Sequence, residues 1–233
     1  MGTGAPGVLS GMFLTHMTDD GTEAAYRAAT AQFGFLPNWA TALGGRPDVL
    51  AAWHQLNTAI RDGMDRRRYE LATIAAARAL RSTYCAMAHS WLLTHKLHLV
   101  APDDLAATLV DQADVVDRAV MAFAEKVARN ADAVTAADVQ VLRDVGLSDD
   151  DVLDVVLAVA ARCFFATALD GVGAQADRPL SDALGPRLAD LLTVGRPVDG
   201  QDTPMPTTPA ATTTATPAAS PTANRRGPVR TPR

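Results

Sequence analysis

The chain has 233 residues, 48% of them hydrophobic and 20% charged, which supplies one sizeable core and permits one or two domains. A net charge of −5 gives no general reason to bind nucleic acid or an anionic membrane. Two cysteines, Cys85 and Cys163, cannot build a disulfide framework, which excludes a small stapled secreted scaffold.

In chain order, Met1 to Met17 lacks a basic stretch ahead of a sustained apolar run, so no signal peptide is expected. No stretch reads as the roughly 20 apolar residues of a membrane span, and a cytoplasmic location is expected by elimination. Pro47 suits the first turn of a helix running from Asp48 to Gly63. Asp65 to Arg81 is dominated by Ala, Leu and Arg, all strong helix formers, and Ser82 to Leu97 continues in the same style. Pro102-Asp103-Asp104 opens a helix into Leu105–Val110, and Asp114 to Asn130 forms another. Thr135 with Asp138, and Ser148 with Asp151, have the form of capping boxes with Asp at N3. Gly146 sits where the first of these helices should end, and the second opens a long apolar helix from Val152 to about Leu169. Alternating strand patterns and fixed-period repeats are absent, so the fold class is all-α. From Arg196 the chain turns to Pro, Thr and Ala, too little apolar surface to offset the entropy of ordering. The expected division is a helical domain over 1–195 and a disordered tail over 196–233.

The densest chemistry is Tyr69-Glu70 followed by Arg81-Ser82-Thr83-Tyr84-Cys85-Ala86-Met87-Ala88-His89. On a helix Ser82, Cys85 and His89 share a face, and a His four residues on is within reach of the thiol. The imidazole can accept the thiol proton or stabilise the thiolate, which is the reactive form. Ser82 is a natural N-cap that puts Cys85 in the first turn, where the helix dipole also favours negative charge. A plainer reading stands beside this: Cys85 as a small buried hydrophobe and His89 as a satisfied core polar group. Glu70 lies fifteen residues before Cys85, about 22 Å along an unbroken helix. It joins the pair only if the helix breaks near Ser82-Thr83; otherwise it is a surface partner for Arg66-Arg67-Arg68. His95 and His98 lack a completing ligand set, so no metal and no cofactor site is expected. Trp39, Trp53 and Trp91 read as core or subunit-contact residues, and Cys163 as core.

Taken in order, Leu36-Pro37-Asn38-Trp39, Arg46-Pro47-Asp48-Val49-Leu50, Asp65 through Leu71 and Tyr84 through His89 resemble the AhpD-like/carboxymuconolactone decarboxylase family. The resemblance covers about 36–110. It implies an AhpD-like helical bundle and, in the family's peroxidase branch, a proton relay in which Cys85, His89 and Glu70 take the roles of the second motif Cys, the His and the Glu. Ser82 stands where that branch has its first Cys, so no local disulfide can close the cycle, and a sulfenic acid at Cys85 needs another thiol. Ser82 and Tyr84 are then accessory residues. The implied activity is a thiol-dependent peroxidase taking a small-molecule hydroperoxide and an external thiol reductant. The other branch implies a decarboxylase-type lyase or isomerase acting on a carboxylated lactone through His89 and Glu70, and a non-catalytic helical binding protein is the third possibility. The family also implies a homo-oligomer, trimer or hexamer.

Overall fold

The computed structural model describes residues 12–14 and 20–201, and among these every regular element is helical. The N-terminal helices are α1 (Asp20–Phe33), α2 (Asn38–Leu43) and α3 (Pro47–Asp62). They precede the pair that carries the motif, α4 (Arg66–Ala79) and α5 (Thr83–Trp91). After α6 (Pro102–Ala107) come α7 (Val115–Asn130), α8 (Ala136–Asp144), the long α9 (Asp149–Gly171), α10 (Arg178–Leu184) and α11 (Pro186–Leu192).

Helix α4 is the axis of the domain. Asp65 caps it by accepting from the Arg68 amide at 2.8 Å, and every residue from Tyr69 to Ala77 is buried. Apart from Glu70 and Thr73 this stretch is apolar or aromatic, which suits an interior helix. Its Ala72, Ala75 and Ala76 face one core cluster with Phe123 and Val120 of α7, Leu142 of α8 and Val155 and Val159 of α9. Its Leu71, Ile74 and Ala77 face a second cluster with α5 and the N-terminal helices. Both capping boxes form as read, Thr135 with Asp138 and Ser148 with Asp151, and Gly146 takes the left-handed conformation (φ 95°) at the end of α8.

The break that Glu70 requires is present. Arg81 adopts a left-handed φ of 60°, while the Ser82 amide donates to the Ala77 carbonyl at 2.8 Å and the Arg81 amide to Arg78 at 3.0 Å. This is a Schellman ending with Arg in the place usually held by Gly. The segment after α11 clamps it: Arg81 Nε donates to the Val194 carbonyl at 3.2 Å and the Gly195 amide to Thr83 Oγ1 at 2.9 Å. A Cβ on Gly195 would stand 1.8 Å from the Arg81 carbonyl oxygen, so only glycine fits there.

Several expectations need correction. The Ser82–Leu97 helix is α-helical only to Trp91 and continues as a π-helical turn, Leu92–Lys96. The helix after Pro102 likewise ends in a π turn, Thr108–Gln112, with Asp111 at φ 93°. Helix α9, with 23 residues, is long and apolar enough to cross a membrane by length and composition, contrary to the sequence reading. Half of its apolar window is buried within the protein, against α3, α4 and α7. The expected boundary at Arg196 also moves: Val198 is buried in the core, and the Asp199 amide donates to the Ala176 carbonyl at 2.9 Å. The described residues end at Gln201, and the rest of the expected tail lies outside them.

Candidate active site

The α4–α5 break lays the two helices side by side and brings Glu70 against His89. His89 Nδ1 is 2.5 Å from Glu70 Oε2, and the other carboxylate oxygen pairs with Arg66 Nη2 at 2.8 Å. Glu70 is buried rather than at the surface, yet it keeps one arginine of the run as well as His89, because a carboxylate has two oxygens to give. The remaining arginines of the run go elsewhere, Arg67 to Asp117 and Arg68 to Asp151.

His89 is only 7% exposed. Burial first, and then the charge of Arg162, hold its pKa down at about 4 against the opposite pull of Glu70. The ring is therefore neutral at pH 7. A neutral ring beside a carboxylate donates its Nδ1–H, which leaves Nε2 as an acceptor. Tyr69 meets the ring edge-on, with centroids 6.0 Å apart, and fixes its plane.

Because folding lowers the His89 pKa below its ordinary 6.5, its contribution to stability is complete above pH 6.5 and is lost as pH falls towards 4. His89→Gln, which keeps a donor for Glu70, removes this contribution. In urea unfolding, the variant should gain on the wild type as pH falls from 6.5 to 4, by up to about 3 kcal/mol. Glu70→Ala leaves Arg66 and His89 without their acceptor and should lower stability by about 3 kcal/mol, the low end for a broken buried pair because Arg66 is partly exposed. Glu70→Gln should lose less, and denaturant midpoints at pH 7 decide between the two.

Cys85 is buried, 1% exposed, and lies with His89 along the wall of a cavity of about 110 Å³. Its Sγ accepts a hydrogen bond from Arg162 Nη1 at 3.5 Å. Arg162 comes from α9 and is 2% exposed. Its guanidinium lies over the rings of Phe165 and Trp53, at 5.5 and 5.8 Å. Burial pushes its pKa down, but Cys85 and Tyr69 outweigh that and leave it raised, so the guanidinium is charged throughout.

The cavity wall mixes rings, with Phe33, Trp39, Trp53 and Phe165 among them, and polar groups that include Asn57 and Arg61, and its mouth lies at the exposed Gln32, His54 and Thr58. Trp39 and Trp53 are thus cavity walls as well as core, which the sequence reading did not assign them. A larger hollow of about 390 Å³ between α4 and α7 holds none of the candidate residues.

The accessory residues stand apart from the chemistry. Ser82 occupies the N-cap position but its side chain makes no capping bond, so the expected cap is not formed. Instead it holds down the pKa of the half-buried Asp170 carboxyl, which burial chiefly raises. Tyr84 lines the cavity with its ring, while its hydroxyl donates to Asp177 Oδ2 and accepts from the Trp39 amide at 3.1 Å. Burial chiefly lifts Asp177 to about 6 and raises Tyr84 well above the usual phenol range. Cys163 is half-buried against the α7–α9 core, and burial raises its thiol pKa.

Arg162 is the cavity residue in contact with Cys85 that the sequence reading passed over. The signal was there: it is the only charged residue between Val155 and Leu169, and a lone buried cation needs a partner.

Comparison with known proteins gives a consistent result. Residues 47–130 match the carboxymuconolactone decarboxylase family. A search of curated proteins gives no match. Among solved structures, the chain is similar to the alkylhydroperoxidase AhpD core of an uncharacterized peroxidase-related protein from Ralstonia eutropha JMP134. That likeness has a TM-score of 0.61 at 25% identity and covers 70% of this chain and 88% of that one. An uncharacterized peroxidase-related protein from Silicibacter sp. TM1040 shares the fold with a TM-score of 0.63 at 18% identity, covering 73% and 94%. So does a cysteine-to-alanine variant of the debrominase Bmp8 in complex with 2,3,4-tribromopyrrole, with a TM-score of 0.61 at 18% identity, covering 76% and 99%.

Proposed function

Residues 47–130 belong to the carboxymuconolactone decarboxylase family, and on that premise we propose that the chain is an AhpD-like, thiol-dependent oxidoreductase that reduces hydroperoxides at Cys85. One observation carries the reading: the buried Cys85 sulfur touches the charged Arg162 and shares its cavity with a neutral His89 held by Glu70.

His89 Nε2 takes the Cys85 thiol proton, and Arg162 balances the thiolate that forms. The thiolate attacks the distal hydroperoxide oxygen; the S–O bond forms as the O–O bond breaks, leaving a sulfenic acid at Cys85. The departing alkoxide takes the proton from His89 and leaves as an alcohol. Sulfur is oxidised by two electrons and the hydroperoxide reduced by two. A first external thiol condenses with the sulfenic acid, releasing water and leaving a mixed disulfide; a second returns Cys85 to the thiol and departs as a disulfide. Glu70 is a positioning residue that fixes the His89 tautomer.

An external thiol is required because Ser82 supplies no second sulfur and Cys163 does not line the cavity. We also propose that the chain forms a homo-oligomer, which would cover the exposed Leu153, Leu157 and Phe164 of α9. The test is steady-state consumption of an organic hydroperoxide by the full chain with dithiothreitol as reductant. Turnover proportional to protein concentration is expected; consumption no faster than dithiothreitol alone overturns the reading.

A further inference from the structure

The relay uses only the inner end of the cavity and leaves the wall between that end and the mouth free to meet the rest of a substrate. Trp53 and Phe165 stack with centroids 4.0 Å apart and planes at 23°. Trp39 stands against Phe165 at 6.1 Å. The tyrosine hydroxyls of this wall are engaged, Tyr69 donating to Asn57 Oδ1 at 2.7 Å and Tyr84 to Asp177. Between these rings the wall carries Arg61 and the unpaired Trp53 Nε1, while the reacting sulfur itself is met by Arg162.

Hydrogen peroxide has no carbon to place against such a wall and gains nothing from it. A flat ring gains both burial and offset or edge-on aromatic contact. The volume of about 110 Å³ is below the roughly 150 Å³ of a void that holds benzene, which limits the occupant to a single ring reaching into the mouth. We propose, resting on the thiol-oxidoreductase reading above, that the site selects substrates whose non-reacting part is a single aromatic ring. The ring lies against Trp53, Phe165 and Trp39, and the hydroperoxide group points at Cys85.

Two measurements on the full chain separate this proposal from the reading it rests on. With dithiothreitol as reductant, kcat/KM is compared for cumene hydroperoxide, tert-butyl hydroperoxide and hydrogen peroxide. Cumene hydroperoxide should lead tert-butyl hydroperoxide by at least about tenfold, the scale on which an apolar pocket separates substrates by size, with hydrogen peroxide last. In Trp53→Leu the gap between the two organic hydroperoxides should shrink. Independently, 2-phenyl-2-propanol, the alcohol product, should change tryptophan fluorescence saturably in the unmodified protein, whereas 2-methyl-2-propanol should not. This titration carries the test if Trp53→Leu folds poorly. Equal kcat/KM for the two organic hydroperoxides, or equal response to the two alcohols, overturns the ring selectivity and leaves the thiol chemistry standing. No reaction with any hydroperoxide overturns the thiol-peroxidase reading, and the alcohol titration alone then decides the selectivity.

Discussion

In Cys85→Ser, thiol-dependent consumption of hydroperoxide is expected to fall by at least about 10³-fold, the scale of losing a nucleophile. Cys163→Ser is expected to keep most of the wild-type rate. The contrast follows from position. Cys85 lies on the cavity wall in contact with Arg162, whereas Cys163, the neighbour of Arg162 in sequence, packs against the opposite core and does not line the cavity. Serine replaces sulfur with a hydroxyl of similar size, so the fold should survive the change. Circular dichroism and a denaturant midpoint near the wild-type value would show that the loss is chemical.

Arg162→Met separates reactivity from stability. Removing the guanidinium takes away the charge that balances a thiolate, and iodoacetamide alkylation of Cys85 at pH 7 should slow roughly 10- to 100-fold. Stability should stay level or rise, because an apolar side chain of similar volume replaces a buried charge whose desolvation is costly. Arg162→Lys should recover part of the alkylation rate, since it keeps the charge but cannot lie as a plane over Trp53 and Phe165. A large loss of stability in Arg162→Met with unchanged alkylation would make the contact a structural one.

Much of the fold was legible from residues alone, because the signals are local. Asp at N3 after Thr135 and Ser148, Gly146 after α8 and the Ala-rich run of α4 each dictate their own turn of helix. The requirement for a break between Glu70 and Cys85 was a matter of helix length. What supplies the break, a left-handed Arg81 clamped by Val194 and Gly195, depends on a segment more than a hundred residues away and was not readable. The same is true of Arg162, which reaches Cys85 across 77 positions of sequence, and of the Trp53–Phe165 stack. Ser82 shows the opposite limit. Its residue type is right for a cap, but burial against the body of the protein takes its side chain elsewhere. The tail boundary moved for a similar reason, since Val198 finds a core site that composition alone does not reveal.

The central claim is that the buried Cys85 thiol is the group that reacts. One equivalent of cumene hydroperoxide, followed by dimedone trapping and peptide mass spectrometry, tests it directly. A stoichiometric sulfenic-acid adduct on Cys85, with Cys163 unmodified, is the expected result. An unmodified Cys85, or modification confined to Cys163, would contradict the account.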